Sequence, residues 1–192
     1  MNQKTFVVVL VAGLCACSPR PSRDVVSRYP NGRPEEVIDR IDAGHYYQRE
    51  LYPNGLLKTE KQFVDGKQDG METHFNDEDG AKTAEMSFKD GKRNGITHEF
   101  FHNGRIAFEG ACADGKFEGV STWYYRNGRV QETGRRHLGQ DTGWWNYYDT
   151  SGALLKAARY SDDGRPVGLF DGHGAPIGRE VWDSLHVTDE GR

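Results

Sequence analysis

Glycine returns along this chain with a period near 24 residues, and that spacing limits the fold more than any other feature. Aligned on one position, Gly32, Gly55, Gly80, Gly104, Gly128, Gly152 and Gly174 step by 23, 25, 24, 24, 24 and 22 residues. A second series, Gly66, Gly91, Gly115, Gly139 and Gly164, shares the period, and so does a third, Gly70, Gly95, Gly119, Gly143 and Gly168. A repeat of this length marks an array of like units, each packed on its neighbours.

The columns between the glycines say what each unit is. Eight residues after the first glycine stand Phe63, Phe88, Cys112, Arg136 and Tyr160; five after the third stand Phe75, Phe100, Tyr124 and Tyr148. The stretch RIAFEGAC sets Ile106, Phe108, Gly110 and Cys112 against Arg105, Ala107, Glu109 and Ala111. That period of two predicts strand, not helix. Asn-Gly pairs at Asn31, Asn54, Asn103 and Asn127, and Asp-Gly pairs at Asp65, Asp90 and Asp114, supply the positive φ that tight hairpins demand. Each repeat therefore reads strand, turn, strand, turn. The expectation is an all-β fold, an elongated single-layer antiparallel sheet of stacked hairpins. Composition agrees: hydrophobic residues, at 35%, are few for a thick two-layer core, whereas 11% aromatics argue against disorder.

The best-formed units are GRIAFEGACADGKFEGVSTWYYRNG (Gly104 to Gly128) and GAKTAEMSFKDGKRNGITHEFFHNG (Gly80 to Gly104). They resemble the MORN-repeat-variant family, whose motif runs roughly G-x-L-x-x-E-x-x-Y/F-x-x-G-K-x-x-G-x-W-x-x-Y/F-Y/F-x-x-G. The resemblance spans Tyr29 to Phe170 and implies an elongated, twisted sheet of MORN-like hairpins. Some bacterial members carry the label antitoxin. The array is expected over residues 29–182, with its last unit, Asp171 to Trp182, an atypical cap, and residues 183–192 are expected as a C-terminal tail. Pro34, early in the first unit, suits an edge strand.

The chain opens MNQKTFVVVLVAGLCACS, with Lys4 before an apolar run from Phe6 to Leu14 that is too short to span a bilayer. Leu14-Cys15-Ala16-Cys17 resembles the bacterial lipobox, which implies cleavage after residue 16 and a lipid on Cys17. Residues 1–16 then form a lipoprotein signal peptide, and 17–28 a flexible tether. Ser18 after the cysteine, by resemblance to Gram-negative sorting rules, favours the outer membrane, facing the periplasm. Cys112 alone remains as a free cysteine, and its column reads it as a small buried hydrophobe.

A formal charge of -4 gives no sign of a nucleic-acid partner. No nucleophile elbow, P-loop or zinc spacing appears, so the chain reads as no enzyme, with no metal and no cofactor. His98 and His102 have a ligand separation suited to a helix, but they fall on a strand. The repeating Glu60, Glu85 and Glu109 belong to the scaffold, with Lys58 or Arg105 placed to offset their charge. The richest feature is aromatic. Trp123, Tyr125, Trp144, Trp145 and Tyr147 are the candidate binding residues: one set should be core, the other an exposed platform for a glycan or a protein. The expected role is a non-catalytic, lipid-anchored scaffold for another envelope protein or polymer. An antitoxin or immunity protein that neutralises a toxin by direct binding is the alternative.

Overall fold

In a computed structural model, which describes residues 21–185, one antiparallel sheet holds 13 strands in strict chain order. They are β1 (Ser22–Arg28), β2 (Pro34–Arg40), β3 (His45–Leu51), β4 (Leu57–Val64), β5 (Lys67–Phe75), β6 (Lys82–Lys89) and β7 (Lys92–Phe100). There follow β8 (Ile106–Ala113), β9 (Lys116–Tyr124), β10 (Val130–His137), β11 (Gln140–Tyr148), β12 (Leu154–Tyr160), β13 (Pro166–Asp171) and a short helix, α1 (Arg179–Ser184). Extensive contacts run only between consecutive strands and from α1 to β13, so the sheet is a single layer. The all-β array of stacked hairpins expected from the glycine period is the fold observed.

The two edges are turned by different chemistry. At the Asp-Gly edge both central residues have positive φ, as in Asp65 (49°) with Gly66 (78°) and Asp114 (50°) with Gly115 (86°). These are two-residue turns whose twist matches the strands. At the Asn-Gly edge only the glycine is left-handed, and its N–H donates to the carbonyl three residues back, as Gly55 does to Tyr52 and Gly128 to Tyr125. Here the asparagine is a clamp. Asn54 Oδ1 accepts the Leu56 N–H at 2.9 Å, while its Nδ2 donates to the Asp77 carbonyl of the next repeat at 2.7 Å. Tyrosines lock the same edge: the Tyr52 hydroxyl donates to the Phe75 carbonyl and that of Tyr125 to the Tyr148 carbonyl, at 3.0 and 2.7 Å.

Directly paired residues share a face. One face carries Glu99, Phe108, Trp123, Glu132, Tyr147 and Lys156 in a row across β7–β12. Two residues along each strand, Met86, Thr97, Gly110, Ser121 and Gly134 form a second row on it. Most of the buried side chains stand here: Met86, Thr97, Phe108, Cys112, Ser121, Trp145 and Ala158. The opposite face carries a polar row, Arg49, Glu60, Thr73, Glu85, His98, Glu109, Thr122 and Thr133.

Several expectations need correction. Residues 22–28, expected within a flexible tether, form β1, tied to β2 by Arg23–Asp39 and Arg40–Asp24 pairs. Pro34 therefore opens an inner strand, where the first position tolerates its missing N–H. The glutamate column is offset not by Lys58 or Arg105 but by Arg49 for Glu60 (2.6 Å) and Lys82 for Glu85, while the Glu109 carboxylate is hydrogen-bonded to the His98 ring (3.0 Å). Arg49 and His98 reach their glutamates from the neighbouring strand, Lys82 reaches Glu85 along its own strand, and Lys58 turns to Glu50 instead. The last unit ends in α1, which strand periodicity did not announce. Cys17, the signal segment and residues 186–192 lie outside the described residues.

Candidate binding face

Column by column, the aromatic face fills most of its own space. Trp145 is fully buried, with ring contacts to Trp123 (6.0 Å between centroids) and Tyr160 (6.5 Å). Its Nε1–H donates to the Arg135 carbonyl at 3.2 Å. Its ring lies over Gly134, where an added Cβ would come within 2.1 Å of the indole. Gly134 thus supplies the floor that lets a large ring lie flat on the neighbouring strand. Arg136 stands where sister repeats have Phe63, Phe88 and Tyr160. Its guanidinium lies 5.0–5.4 Å from the ring centres of Trp123, Phe117 and Trp145, and it donates to Asp141 at 3.0 Å. Rings on several sides and one carboxylate together compensate a partly buried cation.

Farther along, Lys156 is 8% exposed, with its ammonium 4.3 Å from the Trp182 ring centre and 3.2 Å from the Trp182 carbonyl. Burial draws its pKa below the ordinary lysine value, against the pull of Asp183 and Glu132. Tyr147 meets Trp182 edge-on at 5.3 Å, and burial pushes its hydroxyl far above the usual phenol value. Helix α1 therefore closes this end of the face through Trp182.

The candidate aromatics accordingly divide. Trp145 and Tyr125 are buried, at 0% and 3% exposure, and serve packing and edge locking. Trp144 points to the other face, half exposed beside Phe170 at 5.0 Å, and lies apart from the rest. Trp123 and Tyr147 stand in one row of the aromatic face, only partly covered. No broad exposed platform unites the five.

What the face does contain is a cavity of about 420 Å³ between β6 and β10, lined by Ala84, Glu99, Phe108, Trp123, Tyr125 and Gln131 among others. Its origin is legible in the columns. Four residues after the third glycine come His74, Glu99, Trp123 and Tyr147, so a carboxylate stands where the next two repeats place a ring. Four after the first glycine come Ala84, Phe108, Glu132 and Lys156, so Ala84 leaves further room. Thr83, Ala107 and Gln131 are each the extra residue at a register shift, between the pairs His74/Phe75, Glu99/Phe100 and Val130/Glu132 respectively. A bulge re-aims its extra side chain, and all three line the cavity. Strict alternation gave no hint of Gln131 or Glu99. The signal available was the register of the columns: Gln131 is the one amide among Lys58, Thr83, Ala107 and Leu155.

Among the described residues no group of three His, Cys, Asp or Glu side chains converges as a metal site, and no helix is long and apolar enough to cross a membrane. His98 and His102 go separate ways, to Glu109 and to Asp79. Cys112 is buried, 3.8 Å from the Thr97 hydroxyl.

No family model and no curated protein matches the chain. Among solved structures it is similar to a TarM mutant from S. aureus in complex with Fondaparinux, alpha-GlcNAc-glycerol and UDP, at 11% identity and a TM-score of 0.29, over 71% of this chain and 21% of that one. A second TarM structure matches at 12% identity and a TM-score of 0.28, again over 71% and 21%. The chain thus spans only that small share of TarM, and a likeness this slight carries no argument about function.

Proposed function

We propose that this chain is a non-catalytic binding scaffold of the cell envelope, a MORN-like array held to the outer membrane by a lipid on Cys17. Its aromatic face receives another envelope protein or polymer. The observation that carries this reading is the cavity between β6 and β10, an aromatic-lined opening in the face that also buries Phe108 and Trp145. A single-layer sheet has no second layer to cover such an opening. Pockets with apolar walls and a few polar groups are the usual sites of recognition.

Photo-crosslinking in intact cells tests the reading. A crosslinking amino acid replaces Glu99 at the cavity, Trp144 on the opposite face, or Lys116 at the Asp-Gly edge. The Glu99 position is expected to capture an envelope component that the other two do not. Equal capture at all three, or capture at none, overturns the placement. A Cys17→Ser variant is expected to stay unprocessed and to take up no labelled palmitate; normal labelling would remove the lipid anchor from the proposal.

A further inference from the structure

The cavity holds two polar side chains that the fold leaves unused. Gln131 is 7% exposed, yet its amide has no hydrogen-bond partner among the described residues. The amide is not sealed in the sheet, where the buried side-chain polar atoms without a partner among the described residues are Thr59 Oγ1 and Ser121 Oγ; it opens to the cavity, where an entering molecule meets a group that can both donate and accept. Glu99, in the same wall, is solvent-exposed and has no ion pair or hydrogen bond among the described residues, and no cationic side chain lines the opening. The remaining walls are ring surfaces, chiefly Phe108, Trp123 and Tyr125.

These walls discriminate between ligand classes. Rings with a lone carboxylate would suit an alkylammonium group. That ligand has no use for an amide that both donates and accepts. A phosphate or other anion would meet the Glu99 carboxylate with no cation to compensate it. A purely apolar ligand would bury Gln131 and leave it unsatisfied. A pyranose ring uses all three features. Its C–H face lies against the aromatic walls, and its hydroxyls donate to Glu99 and exchange hydrogen bonds with Gln131. A volume of about 420 Å³ accommodates one or two such rings. We infer that the cavity between β6 and β10 is a binding site for a neutral saccharide unit, with Trp123 as stacking surface and Gln131 and Glu99 as hydroxyl partners. The inference rests on the scaffold reading above and names the chemistry its site takes.

Isothermal titration of the full chain in detergent tests it, with soluble oligomers of N-acetylglucosamine and of glucose as saccharide probes and choline as the competing cationic probe. One of the oligomers is expected to bind. Gln131→Leu, which keeps the side chain's bulk, is expected to weaken it about tenfold or more, and Glu99→Gln severalfold. Trp144→Phe, on the other face, is expected to leave it unchanged. Circular dichroism identifies any variant that has lost its fold, and Gln131→Glu then serves as a second substitution with the same expected loss. No binding by any oligomer overturns the inference, as does binding indifferent to Gln131 or choline binding that depends on Glu99 alone. A specific crosslink from position 99 to an envelope protein, with no saccharide bound, removes the saccharide and leaves the scaffold. Saccharide binding that needs Gln131, with no selective crosslink in cells, supports the site and removes the envelope role.

Discussion

Replacing Gly134 by alanine adds one methyl group, and the structure states where it goes. An ideal Cβ there lies 2.1, 2.3 and 2.5 Å from three atoms of the Trp145 indole. Carbon atoms settle at about 3.5–4.0 Å, so the ring must retreat by roughly 1.5 Å. Gly134 has no positive φ, so the backbone tolerates alanine and the cost is steric alone. Trp145 is fully buried and cannot retreat without disturbing Trp123, Tyr160 and the guanidinium of Arg136. Overpacking of this kind costs about 1–3 kcal/mol. Loss of the indole hydrogen bond to the Arg135 carbonyl adds about 1 kcal/mol. The expected destabilisation is therefore about 2–4 kcal/mol, a large part of the roughly 5–15 kcal/mol that holds a typical domain together. Urea unfolding followed by far-UV circular dichroism measures it without relying on tryptophan fluorescence. The decisive comparison is the Trp145→Leu background, where the space over Gly134 is free. There the same Gly134→Ala change is expected to cost under about 1 kcal/mol, since alanine loses less entropy than glycine in a strand. The coupling between the two sites should then exceed about 1 kcal/mol. Equal costs in the two backgrounds would refute the account of glycine as floor for the ring.

Three other substitutions probe the edges and the polar face. Tyr125→Phe removes the hydroxyl that donates to the Tyr148 carbonyl and is expected to cost about 1 kcal/mol or more, whereas Phe101→Tyr places a hydroxyl at the equivalent position, toward Tyr124, and is expected to stabilise by a similar amount; denaturant midpoints of both variants decide. Leu138 holds φ 52° where sister turns place aspartate, so Leu138→Asn is expected to raise stability by about 0.5–1 kcal/mol, with no gain refuting backbone strain there. Asp39 is held below the ordinary carboxylate pKa, first by the Arg23 hydrogen bond and then, against burial, by Arg49. Its folded pKa lies below its unfolded one, so its contribution is complete above the unfolded value of about 3.9 and is lost as pH falls through the folded value; unfolding midpoints between neutral and acid pH should fall less in Asp39→Asn than in the parent chain.

The array was legible in the sequence because its cause is local and repeated. Glycines recur where the backbone must be left-handed, and alternation sets one face against the other. The edges were read with the right residues but incomplete chemistry. Asp-Gly supplies two positive φ angles, whereas Asn-Gly supplies one, and Asn54 and Asn127 spend their side chains on their own turn and the next repeat. Which aromatics are core was not legible, because strand alternation assigns a face but not its cover. Trp145 is buried because Gly134 gives it a floor, whereas Trp144, on the other face and paired with Arg159, meets one ring, Phe170, among the described residues and stays half exposed. Gln131 was missed for a related reason. The bulge between Val130 and Glu132 interrupts the period of two at that residue, so the alternation rule fails where the cavity is built.

That coincidence has a physical basis in the architecture. Each hairpin touches only its neighbours, so every repeat receives nearly the same frame and nearly the same packing demand. Residues that merely satisfy this demand should vary little in size down a column. A departure either finds its compensation in the adjacent column or leaves a gap. Trp145 in a column of Glu72, Thr97 and Ser121 is compensated, since Gly134 lies beneath it. Arg136 in a column of Phe63, Phe88 and Tyr160 is compensated by three rings and Asp141. Glu99 in the column of Trp123 and Tyr147 has no such partner, and the space of the missing ring stays open beside the unused amide of Gln131. In a repeat protein such a departure, here an exposed carboxylate and an open amide beside a gap, is where packing alone does not set the residue, and it is there that the proposed saccharide site stands.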